Sequence, residues 1–160
     1  MRCHLSDRKS SSLVESLLAR IESRAATVAI VGLGYVGLPL AGAVLEAGFH
    51  VIGLDIDAAK VSALKEGKTY LSHLPADKFA EWVVKGNFEP TTSFEELRKA
   101  DAILICVPTP LTRHREPDLS FVESTGRTIL PHLRRGQVVV LESTSYPARH
   151  NARSVKADSR

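Results

Sequence analysis

Residues 28–57 read VAIVGLGYVGLPLAGAVLEAGFHVIGLDID, and the fold turns on this stretch. It opens within a β-branched run, Thr27 to Val31, that reads as a buried strand. Gly32, Gly34 and Gly37 follow in a GxGxxG pattern. An apolar helical segment continues to about Ala47, and Gly48 is suited to end it as the first residue past the helix. Val51 to Leu54 reads as a second strand, with the acidic Asp55 at its end. Val28–Leu45 carries no charge and so resembles a membrane span, but Gly32, Gly34, Gly37, Gly42 and Pro39 interrupt it. No basic segment with a cleavage signal accompanies it. A buried strand running into a buried helix explains it better.

A glycine pattern alone is a weak signal. Here a strand precedes it, a helix follows, and Asp55 lies eighteen residues beyond Gly37, close to the spacing of about 20 in dinucleotide-binding folds. Each glycine then has a physical task. Gly32 permits a tight turn, Gly34 lets the backbone approach a pyrophosphate, and Gly37 lets the helix sit against the strand. The helix N-terminus offers N–H groups and a positive dipole end to phosphates. The competing reading is a purely structural turn. A carboxylate at position 55 accepts hydrogen bonds from two ribose hydroxyls and repels a 2′-phosphate, which favours NAD over NADP; otherwise Asp55 merely caps the next helix. Lys60, taken alone, is a surface lysine within reach of the ribose.

The rest of the chain extends this alternation. Upstream, Ser12 is a candidate N-cap for a helix whose Leu13, Leu17 and Ile21 share one face, so residues 1–26 form a helical extension packed on the domain edge. Downstream, Asp57 caps a helix to about Lys65, with Gly67 after it. Tyr70 to Pro75 is a loop, and Asp77 to Lys85 is a helix stopped by Gly86-Asn87. Phe88 to Thr91 is a weak strand. Ser93 with Glu96 makes a capping box for a short helix to Lys99. Ala102 to Val107 is a buried strand that contains Cys106. A polar loop spans Pro108 to Pro117, Asp118 caps a helix to about Leu133, and Gln137 to Leu141 is a further strand. Residues 27–147 therefore form an α/β domain, a doubly wound parallel sheet of Rossmann type with helices on both faces.

The totals agree with one such domain. The chain has 160 residues, of which 44% are hydrophobic and 24% charged, a normal balance for a globular protein. The net charge of +3 resides in the segment after Pro147, leaving the remainder formally neutral. That argues against a nucleic-acid-binding face, and no membrane partner is expected. Two cysteines, Cys3 and Cys106, without framework spacing imply a reduced, cytoplasmic setting. The six histidines show no metal-ligand spacing, so no metal site is expected.

Three separated segments resemble the UDP-glucose/GDP-mannose dehydrogenase family: residues 28–57, DAILICVPTPLTRHREPDLSFVE at 101–123, and VVVLESTSYP at 138–147. The PTPL…REPDLS wording is most similar to the UDP-N-acetylglucosamine 6-dehydrogenase branch. The likeness runs from about Leu13 to Pro147. It implies that Gly32, Gly34, Tyr35, Val36 and Gly37 line the pyrophosphate and that Asp55 and Lys60 form the ribose-binding pair. It also places Val107 and Thr109 beside the cofactor. Thr144 would stand at the nicotinamide end, positioning a catalytic water. Without the resemblance, Thr109 is a loop residue set by its neighbouring prolines and Thr144 a strand-end hydroxyl. Arg113, His114 and Arg115 could face a sugar nucleotide, although a solvated loop suits them better. A hydroxyacid dehydrogenase or a methyltransferase would share the glycine turn but not the other two segments.

After Pro147 the sequence departs from the family, which continues with a Gly-Thr-Thr-like turn into another helix. Residues 148–160 have no large apolar residue beyond Val155, and their composition predicts a disordered basic tail. The sheet is expected to be truncated there. Enzymes of the family oxidise a sugar CH2OH to a carboxylate in two hydride transfers to NAD, holding the aldehyde as a thiohemiacetal on a cysteine. Neither Cys3 nor Cys106 is placed for that task. The expectation is an NAD-binding chain, inactive alone, that meets a UDP-sugar only when completed by a second half and whose open sheet edge favours self-association. A stand-alone NAD-binding or interaction module is the alternative.

Overall fold

The computed structural model describes residues 5–72, 74–110 and 118–142, with side chains from residue 12 onward. Among these residues, five strands form one sheet in the order β3-β2-β1-β4-β5. They are β1 (Thr27–Val31), β2 (His50–Leu54), β3 (Phe88–Thr91), β4 (Ala102–Ile105) and β5 (Val138–Leu141), and every neighbouring pair is parallel. The chain runs outward from β1 through β2 to β3, returns across the sheet, and continues through β4 to β5. The order therefore reverses between β1 and β4, where doubly wound sheets open a crevice at the carboxyl ends of the strands.

Side chains alternate across the sheet and feed two apolar layers. Ile30 and Val51 point into one, with Leu38, Ala41 and Leu45 of α2 (Gly37–Glu46), Leu64 of α3 (Ala58–Lys65) and Phe79 of α4 (Ala76–Val84). Phe79 meets Trp82 and Phe88 edge-on, at 5.2 and 5.6 Å between ring centroids. Ala29, Val31, Ile52, Leu54, Ile103 and Ile105 point into the other layer, with Ile129 of α5 (Ser120–Ile129). Burying each Leu, Ile or Phe is worth about 1.5–3 kcal/mol, so both layers hold the sheet flat against its helices. The doubly wound parallel sheet read from the sequence is the one observed.

Some local expectations fail for identifiable reasons. The first helix, α1, spans Leu5–Glu22, so Ser12 lies inside it rather than capping it. Nothing between Leu5 and Ser12 is a Gly or Pro, and a polar run without breakers continues a helix readily. The capping box at Ser93 does not form. Phe94–Lys99 is a 3₁₀ helix without a side-chain cap bond, because Glu96 pairs with Lys99 and the Ser93 N–H donates to Thr91 Oγ1 at 3.1 Å. The helix after Asp118 stops at Ile129 and tightens into a 3₁₀ turn over Leu130–His132, where Pro131 lacks the N–H that an α-helix needs. Strand β4 ends at Ile105, so Cys106 lies just past the strand rather than inside it. The expected disordered tail, residues 148–160, and Cys3 lie outside the described residues.

Candidate cofactor site

Val31, Leu54 and Ile105 stand in register across β1, β2 and β4, so the chain leaves all three strands at one level. Backbone bonds hold the exits together. The Gly32 N–H donates to the Leu54 carbonyl at 2.7 Å, and the Cys106 N–H donates to the Val31 carbonyl at 2.8 Å. The glycine turn crosses this level and enters α2, whose first turn closes through Leu38 N–H to Gly34 and Leu40 N–H to Val36.

The three glycines are needed for different reasons. Gly32 has φ +95°, and a Cβ there would lie 2.9 Å from the Cys106 carbonyl oxygen. At Gly37 a Cβ would meet the Gly32 oxygen at 1.8 Å. At Gly34 it would meet nothing within 4 Å. The first two are demanded by the protein's own packing. The third leaves open space above the turn, the room a ligand needs to reach the backbone. Tyr35 and Val36 extend their side chains into solvent beside it.

Asp55, at the exit of β2, is buried. Its Oδ2 accepts from the Leu33 N–H at 2.8 Å and its Oδ1 from the Asp57 N–H at 2.9 Å. Lys60 Nζ approaches Oδ2 at 3.6 Å. Asp57, not Asp55, caps α3, accepting from Ala59 and Lys60 N–H groups. Asp55 thus ties the end of β2 to the glycine turn, with a lysine at its mouth. Val107 and Thr109 follow β4, both half-buried, and Val107 packs on the second apolar layer. Thr144, Arg113, His114 and Arg115 lie outside the described residues.

One residue of this corner escaped sequence reasoning. Tyr70, in the loop between α3 and α4, donates its hydroxyl to the Leu33 carbonyl, and its ring centroid lies 5.9 Å from Lys60 Nζ. Burial, then the charges of Asp55 and Asp57, push its pKa well above the usual phenol value. No local motif marks it; the partner is 37 positions away.

Cys106 sits beneath the turn. Burial, with the nearby Glu142 carboxylate, pushes its pKa up to about 11, so it stays a thiol at neutral pH and is no nucleophile. A cavity of about 300 Å³ beside Arg20, Asp101 and Arg134 lies at the opposite, amino-terminal edge of the sheet. There Asp101 accepts from both Arg20 and Arg134, and the cavity is separate from the crevice.

The model of the UDP-glucose/GDP-mannose dehydrogenase family, NAD binding domain, matches residues 26–158. The chain belongs to this family. The family's cofactor is NAD, and the crevice fits it: a glycine turn opening onto space at a helix N-terminus, with an acidic residue at the end of β2. The chain is 40% identical over 119 residues to the UDP-N-acetyl-D-mannosamine dehydrogenase of Yersinia pestis, covering 74% of this chain and 28% of that protein. It is equally similar, 40% over 119 residues, to the NDP-N-acetyl-D-galactosaminuronic acid dehydrogenase of Ralstonia nicotianae, with the same shares of 74% and 28%. The GDP-mannose dehydrogenase of Pseudomonas aeruginosa superposes with a TM-score of 0.72 at 30% identity, covering 78% of this chain and 30% of that one. The chain thus spans 28% of the length of these curated relatives. Among the described residues, no helix is long and apolar enough to cross a membrane.

Proposed function

We propose that this chain is the cofactor half of a cytoplasmic enzyme that oxidises the CH2OH group of a UDP-linked sugar to a carboxylate with NAD, supplying precursors for polysaccharide synthesis. The observation that carries the reading is the corner where Asp55 grips the glycine turn through Leu33 beside the open face of Gly34. Gly32, Gly34, Tyr35, Val36 and Gly37 line the pyrophosphate, and Asp55 accepts from the ribose hydroxyls with Lys60 steadying its charge. Val107 and Thr109 flank the dinucleotide. Thr144 serves the nicotinamide end, where it positions water. The PTPL…REPDLS wording favours UDP-N-acetylglucosamine as the sugar nucleotide.

Two hydride transfers to NAD and a thiol that holds the aldehyde stage are needed for such an oxidation. Cys106, kept protonated by burial, does not supply that thiol. Cys3, ahead of the first helix in the sequence, is not placed for it either, so the chain alone is expected to bind NAD without turnover, a UDP-sugar engaging only with a second half. Val138 and Val139 are exposed on β5 at the sheet edge, which supports self-association of the isolated chain.

Calorimetric titration of the chain with NAD and NADP, followed by NADH absorbance on adding UDP-N-acetylglucosamine, tests this reading. Micromolar NAD binding, weaker NADP binding and no NADH are expected. A folded, monodisperse chain that ignores NAD would defeat the proposal, and NADH formation would defeat the claim that the chain is inactive alone.

A further inference from the structure

Leu33 has both its polar groups held by side chains from different elements. Its N–H donates to Asp55 at 2.8 Å, and its carbonyl accepts from the Tyr70 hydroxyl. A trans peptide is planar, with C=O and N–H pointing in opposite directions. Turning the Leu33 carbonyl toward Tyr70 therefore turns the Gly34 N–H away from it. Among the described residues, nothing accepts from that N–H, and Gly34 faces open space. Burial and the two neighbouring carboxylates keep the phenol protonated, so the donor persists at any ordinary pH.

We infer that Tyr70 is a positioning residue for the dinucleotide, setting the 33–34 peptide so that the glycine turn meets a diphosphate with its N–H groups already aimed. The inference rests on the NAD reading above. Tyr70 acts through Leu33, from the loop between α3 and α4. Its effect belongs to ligands that carry the diphosphate, and a nucleoside without phosphate does not sense it.

The test is displacement of a fluorescent NAD analogue from this chain and its Tyr70→Phe variant by NAD, ADP and adenosine. One neutral hydrogen bond sets the scale, so NAD and ADP should each weaken roughly three- to tenfold in the variant. Adenosine should be unaffected. Comparing ligands within one variant removes any change in the folded fraction. The Gly34 amide resonance should also shift in the ligand-free variant. Unchanged ADP affinity, or equal loss for adenosine and ADP, would overturn the inference. Failure of the unmodified chain to bind NAD would instead sink the cofactor reading itself, so the two failures are distinguishable.

Discussion

Gly37 sits directly beneath the carbonyl of Gly32: a Cβ on Gly37 would stand 1.8 Å from that oxygen and 3.2 Å from the Cys106 Cβ. Backbone cannot yield there without opening the turn. Gly34, two residues from Gly32, has no such neighbour. The two glycines therefore separate folding from binding. Gly37→Ala should lower stability by more than about 3 kcal/mol, beyond ordinary overpacking. Gly34→Ala should stay within about 0.5 kcal/mol of the native chain, yet bind NAD roughly tenfold or more weakly through loss of phosphate contacts. Thermal melts and NAD titrations of both variants check this. A Gly34→Ala chain with native affinity would remove the pyrophosphate from the turn.

Asp55 should set the preference between the two nicotinamide cofactors. Asp55→Asn keeps the size of the side chain but removes the charge that accepts from ribose hydroxyls and repels a 2′-phosphate. NAD affinity should fall about tenfold, the value of one charge-assisted bond, while NADP affinity rises or holds. Parallel titrations with both cofactors measure the ratio. If the preference for NAD survives unchanged, the ribose lies elsewhere.

What could be read in advance was local. The strand, the three glycines, Asp55 and the Asp57 cap all fall within one strand-turn-helix-strand unit, where periodicity and turn chemistry are governed by near neighbours. Tyr70 could not be read, because its role exists only once the crossover loop returns to Leu33, 37 residues away. Arg20 and Asp101 meet across 81 residues, and the sequence shows Arg20 merely as a charge on a helix. Lys60 gained meaning from family resemblance rather than from spacing. The errors were also local in cause: Ser93 and Ser12 carry cap chemistry, but Glu96 found Lys99 instead, and α1 began upstream.

Cys106 should resist thiol reagents. With its pKa pushed up to about 11 by burial and Glu142, the thiolate is scarce at neutral pH, and the side chain is shielded under the turn. In a Cys3→Ser background, iodoacetamide should label the folded chain far more slowly than the unfolded chain at pH 8. The rate should climb only as pH approaches the raised pKa. Rapid labelling at neutral pH would mark Cys106 as an accessible nucleophile and reopen the question of catalysis by this chain.

Asp101 anchors the first helix to the sheet, and its contribution should be lost in acid. Its Oδ2 accepts from Arg20 Nη2 at 2.8 Å and from the Thr27 N–H at 2.9 Å, and its Oδ1 from Arg134 Nη2 at 2.9 Å. Burial alone would raise its pKa, but the Thr27, Arg20 and Arg134 bonds outweigh burial and hold the carboxyl below the usual range. Asp101→Asn should cost roughly 2–3 kcal/mol at neutral pH, less than a fully buried pair because both guanidiniums keep contact with water. A depressed folded pKa stabilises the native state above the unfolded value. The gap between native and variant should therefore be complete above about pH 5, where the unfolded carboxyl, with its midpoint at about pH 4, starts to bind protons. It should then shrink as pH falls through the lower folded value. Urea melts of both chains across that window measure it. A gap that persists undiminished at the acid end would mean that the substitution acts through packing rather than through the charge.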